Sequence, residues 1–98
     1  MEKITTDNIF EDLGFPADEA ALLKRKTLLM LELETIVRRR KLTPTQSAKR
    51  FGVPKLVVQE LKRNNIDYFS IDLLIRMLDH AGKDVQMTVT DKKHVRAA

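Results

Sequence analysis

The stretch Thr43-Pro44-Thr45-Gln46-Ser47-Ala48-Lys49-Arg50-Phe51-Gly52-Val53-Pro54-Lys55-Leu56-Val57-Val58-Gln59-Glu60-Leu61-Lys62-Arg63 holds two helix starts and, between them, one helix stop. Thr43 has the side chain of an N-cap, and Pro44 takes the first helical position, where its missing N–H costs nothing. Gln46, three residues after the cap, can reach back to the cap's own N–H. The helix that begins there can run only to Phe51, because Gly52 is a natural left-handed C-terminal residue. Pro54 then starts a second helix, from Lys55 to about Arg63, which Asn64-Asn65 can end because asparagine tolerates turn geometry. Two short helices joined by a tight turn around a glycine make a helix-turn-helix unit. Ala48 is small where the two helices must approach. Val58 and Leu61, three apart, form the inner stripe of the second helix. At 100° per residue that placement turns Leu56, Gln59, Glu60 and Arg63 outward, with Lys55 and Val57 on the flanks.

Outward from this unit the chain stays helical. Ala17 to Leu42 is free of Gly and Pro and dense in Leu, Ala, Glu, Lys and Arg, which predicts one long helix. Leu22, Leu29, Leu33, Ile36 and Val37 mark its apolar stripe, with Leu28 and Leu31 widening the buried face. A coiled coil is the alternative, but the run is too short to sustain three or four heptads. Downstream, Ser70 reads as an N-cap, with Phe69 and Leu74 spaced as a hydrophobic staple. Its helix points Ile71, Leu74, Ile75 and Leu78 inward and stops at Gly82. Val85-Gln86-Met87-Thr88-Val89-Thr90 alternates with a period of two, which predicts one short strand carrying Val85, Met87 and Val89 on one face. A lone strand needs a partner for its backbone groups, either Ile4-Thr5-Thr6 or the same strand of a second copy. The second copy is favoured because a twofold antiparallel pairing is self-complementary.

At 98 residues the chain holds one modest core and no deep two-lobed cleft. With no cysteine it has no disulfide, thiolate zinc site or thiol nucleophile. Its two histidines, His80 and His94, stand in no cluster with metal-ligand spacing, and no nucleophile has a matched base. The expectations are therefore no enzyme, no metal and no cofactor. No apolar run reaches the roughly 20 residues of a membrane span, and the start MEKITTDNIF has no basic region ahead of an apolar one. A soluble, cytoplasmic protein is expected. The net charge of +4 is unevenly placed. Residues 1–20 carry one base against six acids, residues 21–63 carry twelve bases against three acids, and residues 64–98 carry five of each. A basic middle of +9 thus follows an acidic head of −5, which points to separate surfaces for separate partners.

The run LTPTQSAKRFGVPKLVVQELKRNNIDYFSIDLLIRMLDHAGKDVQMTV resembles the helix-turn-helix core of the XRE class, the Cro and phage-repressor-like regulators. Together with NIFEDLGFPADEAALLKRKTLLMLELETIVRRR it is similar to the HigA-type antitoxins of bacterial type II toxin-antitoxin modules, over about Asn8 to Val89. The NIFEDLGF segment, the FS before the last helix and the AGKDV turn carry most of the likeness. The resemblance implies a dimeric repressor that binds an inverted-repeat operator in double-stranded DNA and neutralises a small, basic, RelE-like ribonuclease toxin. It places Thr45 and Gln46 beside a phosphate, Lys55, Leu56, Gln59 and Glu60 against bases, and Arg63 near the next phosphates. One departure stands out. The helix that reads bases opens here on Pro54, Lys55, Leu56 and Val57, where family members carry a Ser or Thr cap and several polar residues. Base readout would then rest on Leu56 or Val57 against thymine methyls, Lys55 to guanine and Glu60 accepting from cytosine.

Simpler explanations stand beside these. Arg38-Arg39-Arg40-Lys41 suits the negative end of a helix dipole as well as it suits phosphates, and His80 near a helix end reads the same way. Phe10, Leu13 and Phe15, set among the carboxylates of the head, suit a basic protein partner as well as they suit the domain's own core. The expected architecture is mostly α. It comprises an acidic segment over 1–16, a helix-turn-helix domain of the Cro and phage-repressor type with a single C-terminal β-strand over 17–90, and a tail over 91–98. A free-standing repressor without a toxin, or a protein-binding module using the helix-turn-helix as scaffold, are the alternatives.

Overall fold

The computed structural model describes residues 13–91. Four α-helices follow in order: α1 (Ala17–Arg40), α2 (Pro44–Phe51), α3 (Lys55–Lys62) and α4 (Ile71–His80), with a 3₁₀ turn at Ile66–Tyr68 before α4. The long helix α1, about 36 Å at 1.5 Å per residue, is the spine. It packs on α4, α3 and the 3₁₀ turn, while α2 packs on α3 and α4. Charges sit where the helix dipole favours them, with Asp18 and Glu19 in the first turn of α1 and Arg38, Arg39 and Arg40 in its last.

The start of α2 forms as its residues dictate. Thr43 Oγ1 accepts from the Gln46 N–H at 3.1 Å, and the Thr43 N–H donates to Gln46 Oε1 at 2.9 Å, a complete capping box with Pro44 at the first helical position. At α4 the Leu73 N–H donates to Ser70 Oγ at 3.0 Å, and the two staple residues, Phe69 and Leu74, are both buried. Each helix ends on one left-handed residue: Lys41 (φ 52°), Gly52 (φ 68°), Asn64 (φ 59°) and Gly82 (φ 91°). In every case the N–H of the next residue reaches back over five residues, Leu42 to Val37 O, Val53 to Ala48 O, Asn65 to Glu60 O and Lys83 to Leu78 O, at 2.9–3.1 Å. These bonds take up carbonyls that the helix leaves unpaired.

The core gathers Met30, Leu33 and Ile36 of α1, Phe51 of α2, Val57 and Leu61 of α3, Phe69, and Leu74, Met77 and Leu78 of α4. Val58 and Ser47 are buried as well. Ser47, not the half-buried Ala48, is therefore the small residue sealed at the α2 packing surface, and its Oγ has no hydrogen-bond partner among the described residues.

Three sequence expectations change. In α1, Leu28 and Leu31 are exposed because they lie about 140–160° around the helix from Leu33. Leu22 lies on the stripe yet is exposed too, whereas Met30 is buried, as is Ala20 in the first turn. In α4, Met77 joins the core while Ile71 and Ile75 are half-buried. Finally, among the described residues there is no β-strand: 83–91 carries no ladder. Val85 packs against the core, but Met87 and Val89 are exposed. Alternating side chains favour a strand only where backbone groups find a ladder to join.

Candidate nucleic-acid interface

What α3 buries decides which of its residues face outward. Val57, Val58 and Leu61 are sealed, which leaves Lys55, Leu56, Gln59, Lys62 and Arg63 exposed on the other side. Adding Val57 to the inner stripe rotates α3 by about 20° from the placement that Val58 and Leu61 alone suggest. Val57 thereby leaves the outward set, since a side chain 7% exposed in the core cannot meet a thymine methyl. Lys62 enters that set, and the sequence signal for it was its place on the helical wheel, one position from Leu61. Leu56, 56% exposed, is the apolar group on this face.

Glu60 is also redirected. Its side chain is 14% exposed and bound at both oxygens, with Asn65 Nδ2 donating to Oε1 at 2.8 Å and an Arg63 guanidinium nitrogen 3.8 Å from Oε2. It holds the turn after α3 through Asn65 and lies beside Arg63, so part of its acceptor capacity is spent within the turn. Arg63 keeps a 73% exposed side chain, so its remaining donors point to solvent.

At α2, Thr45 and Gln46 are exposed, with Lys49 one turn on. The Gln46 carboxamide oxygen is committed to the cap, which leaves its amide N–H groups as the donors it offers. Between α1 and α3 lies a groove of about 360 Å³ floored by Val37, Val58 and Leu61 and edged by Glu34, Arg38, Lys62 and Asn64. Partial burial there pushes the Glu34 carboxyl above its ordinary value, against the opposing pull of Arg38. Arg38 thus sits beside the C-terminal end of α3, so the basic end of α1 and that end of α3 share one side of the molecule.

His80 closes the turn of the unit. A methyl group at Gly52 would lie 2.7 Å from the His80 ring, so a larger residue there needs the ring to move as well as a left-handed backbone (φ 68°). Of the N-terminal anchors, Leu13 is 71% and Phe15 40% exposed, so neither sits in the core. Phe10 lies outside the described residues.

Residues 9–90 match the model of a helix-turn-helix domain family. The chain belongs to that family. No curated protein matches it. Among solved structures, one described as a candidate XRE family transcriptional regulator superposes with a TM-score of 0.72 at 26% identity, covering 82% of this chain and 90% of the other. The order of α1 to α4 and the tight α2–α3 turn are therefore those of an XRE-type helix-turn-helix regulator. Within this family's unit the second short helix is the one a major groove admits. Here that helix is α3, with Lys55, Leu56, Gln59, Lys62 and Arg63 outward.

Proposed function

We propose that the chain is a DNA-binding transcriptional repressor that lays α3 in the major groove. The observation that carries this reading is the division of α3 into a sealed face of Val57, Val58 and Leu61 and an exposed face of Lys55, Leu56, Gln59, Lys62 and Arg63. Lys55 and Gln59 have the donors and acceptors to distinguish guanine and adenine, and Leu56 suits a thymine methyl. Thr45, Gln46 and Arg63 position the unit on phosphates and carry no sequence information. Replacing Arg63 with Ala should weaken binding alike on all sequences, while Lys55→Ala or Gln59→Ala should relax preference at one base pair each. Equal losses on every sequence from all three would sink these roles. A gel shift with the DNA upstream of the chain's own gene separates this reading from that of a protein-binding module, which would leave the DNA unshifted.

The repressor acts as a homodimer on an inverted repeat, each copy presenting one α3 to half-sites about one helical turn apart. Exposed apolar groups support this: Leu28, Met87 and Val89 line one groove with Ile71 and Ile75, a surface that a second copy would cover. The finer reading is that of an antitoxin. The acidic head and the exposed Leu13 and Phe15 suit a small basic toxin, and the resemblance to HigA-type antitoxins points the same way. Co-purification with the product of the neighbouring reading frame tests it, and a chain that represses with no such neighbour is a free-standing regulator. The protein acts by binding and not as an enzyme, needs no cofactor, and works in the cytoplasm. No helix among the described residues is long and apolar enough to cross a membrane.

A further inference from the structure

The last turns of three helices meet on the side of the molecule next to the start of α2. There a groove of about 450 Å³ is lined by Arg39 and Arg40 of α1, Arg50 of α2, and Lys83 after α4, with Glu32 the one carboxylate among its lining residues. Among the described residues none of these four cations has a carboxylate within 4.0 Å. Arg50 is half-buried, and its Nε is shut off from solvent with no acceptor among the described residues.

Helix dipoles account for part of this charge. A helix C-terminus acts as about half a negative charge, so the ends of α1, α2 and α4 together offset about 1.5 positive charges, and Glu32 offsets one more. Four cations against that sum leave a surplus of about 1.5 positive charges converging on one hollow. An anion in the groove would relieve it.

The groove has a neighbour that indicates which anion. Arg50 and Ala81 also line a second hollow, which runs past Lys49 and His80 to Gln46 at the start of α2. A basic track therefore leads from the α2 start, where the proposed function puts a phosphate, to Arg39 and Arg40. Along α2, from Gln46 to Arg50, it covers about 6 Å, enough for roughly two phosphates of one strand at 3.4 Å of helix axis each. We infer that the Arg39–Arg40–Arg50–Lys83 groove seats backbone phosphates of DNA that flanks the half-site, extending the footprint beyond the bases α3 reads. This rests on the DNA-binding reading above and adds to it a second, sequence-independent contact.

The test compares two duplexes cut from the protected upstream DNA, one trimmed to the bases read and one carrying about ten further base pairs, a helical turn, on each side. Wild-type chain and an Arg39→Gln, Arg40→Gln double variant are titrated against both over a salt series, with thermal melts to show that the variant folds. The wild type should bind the flanked duplex more tightly and with a steeper salt slope than the trimmed one. The variant should lose about two units of that slope, at about 0.9 per phosphate, on the flanked duplex only. A single Arg50→Gln variant should lose about one unit there. If variant and wild type bind the flanked duplex with equal slopes, the inference fails while DNA binding stands. Equal losses on both duplexes would put the groove inside the half-site and overturn it as well. If the folded wild type binds neither duplex, the DNA reading itself fails and this inference with it.

Discussion

Val57 and Leu56 are neighbours in sequence with opposite duties, and the difference between them is measurable. Val57→Ala removes two buried methyls at about 0.8 kcal/mol each and leaves a small cavity, so chemical denaturation should show a loss of about 1–2.5 kcal/mol. Leu56→Ala should stay within about 0.5 kcal/mol of wild type while weakening binding at one base pair. Ser47 gives the opposite kind of prediction. Its sealed hydroxyl has no partner among the described residues, so Ser47→Ala should leave stability unchanged or raise it by up to about 1 kcal/mol. A loss greater than that would mean the hydroxyl is satisfied. Glu34 adds a pH dependence. A carboxyl raised by folding contributes stability that is complete below its unfolded pKa and fades as pH rises through the folded one. Glu34→Gln should therefore stabilise the protein at neutral pH and have no effect in acid below the ordinary carboxylate range, read as melting temperature against pH.

The helices stop by a shared device that the sequence discloses at two ends and hides at a third. Gly52 and Gly82 announce left-handed positions, and Asn64 is a tolerated substitute, but Lys41 takes φ 52° with nothing in its side chain to favour it. An L-residue there costs about 1 kcal/mol, so Lys41→Gly should raise stability by about 0.5–1 kcal/mol, whereas Gly52→Ala should lower it by more, since its methyl group also meets the His80 ring. Capping residues at Thr43 and Ser70 and the α2–α3 turn were legible because their chemistry is local. Rotation of a helix is not local. Val58 and Leu61 fixed the inner face of α3 only to within about 20°, and Val57 fell on the wrong side of that margin. Similarly, Glu60 lies near the outward arc by angle alone, and only the folded turn shows that Asn65 and Arg63 hold its oxygens. The C-terminal alternation failed for a further reason: a period of two states which side chains share a face, but pairing depends on a ladder elsewhere.

For the whole molecule, the net charge of +4 conceals a basic middle of +9. Folding places part of that charge on the outward face of α3, in Lys55, Lys62 and Arg63, and part at the ends of α1 and α2, in Arg39, Arg40 and Arg50, where Lys83 from the neutral C-terminal stretch joins it. Phosphate neutralisation by the two surfaces, as proposed, would make affinity fall steeply with salt, and that dependence separates nucleic-acid binding from a scaffold role. The direct measurement is the binding of the chain to its own upstream DNA, followed by fluorescence anisotropy across a salt series from about 50 to about 200 mM. Six or more phosphate contacts predict a loss of affinity of about a thousandfold over that range. An affinity that stays flat across it, or an anisotropy that never rises at the lowest salt, would contradict the assignment of α3 and its basic surroundings to DNA.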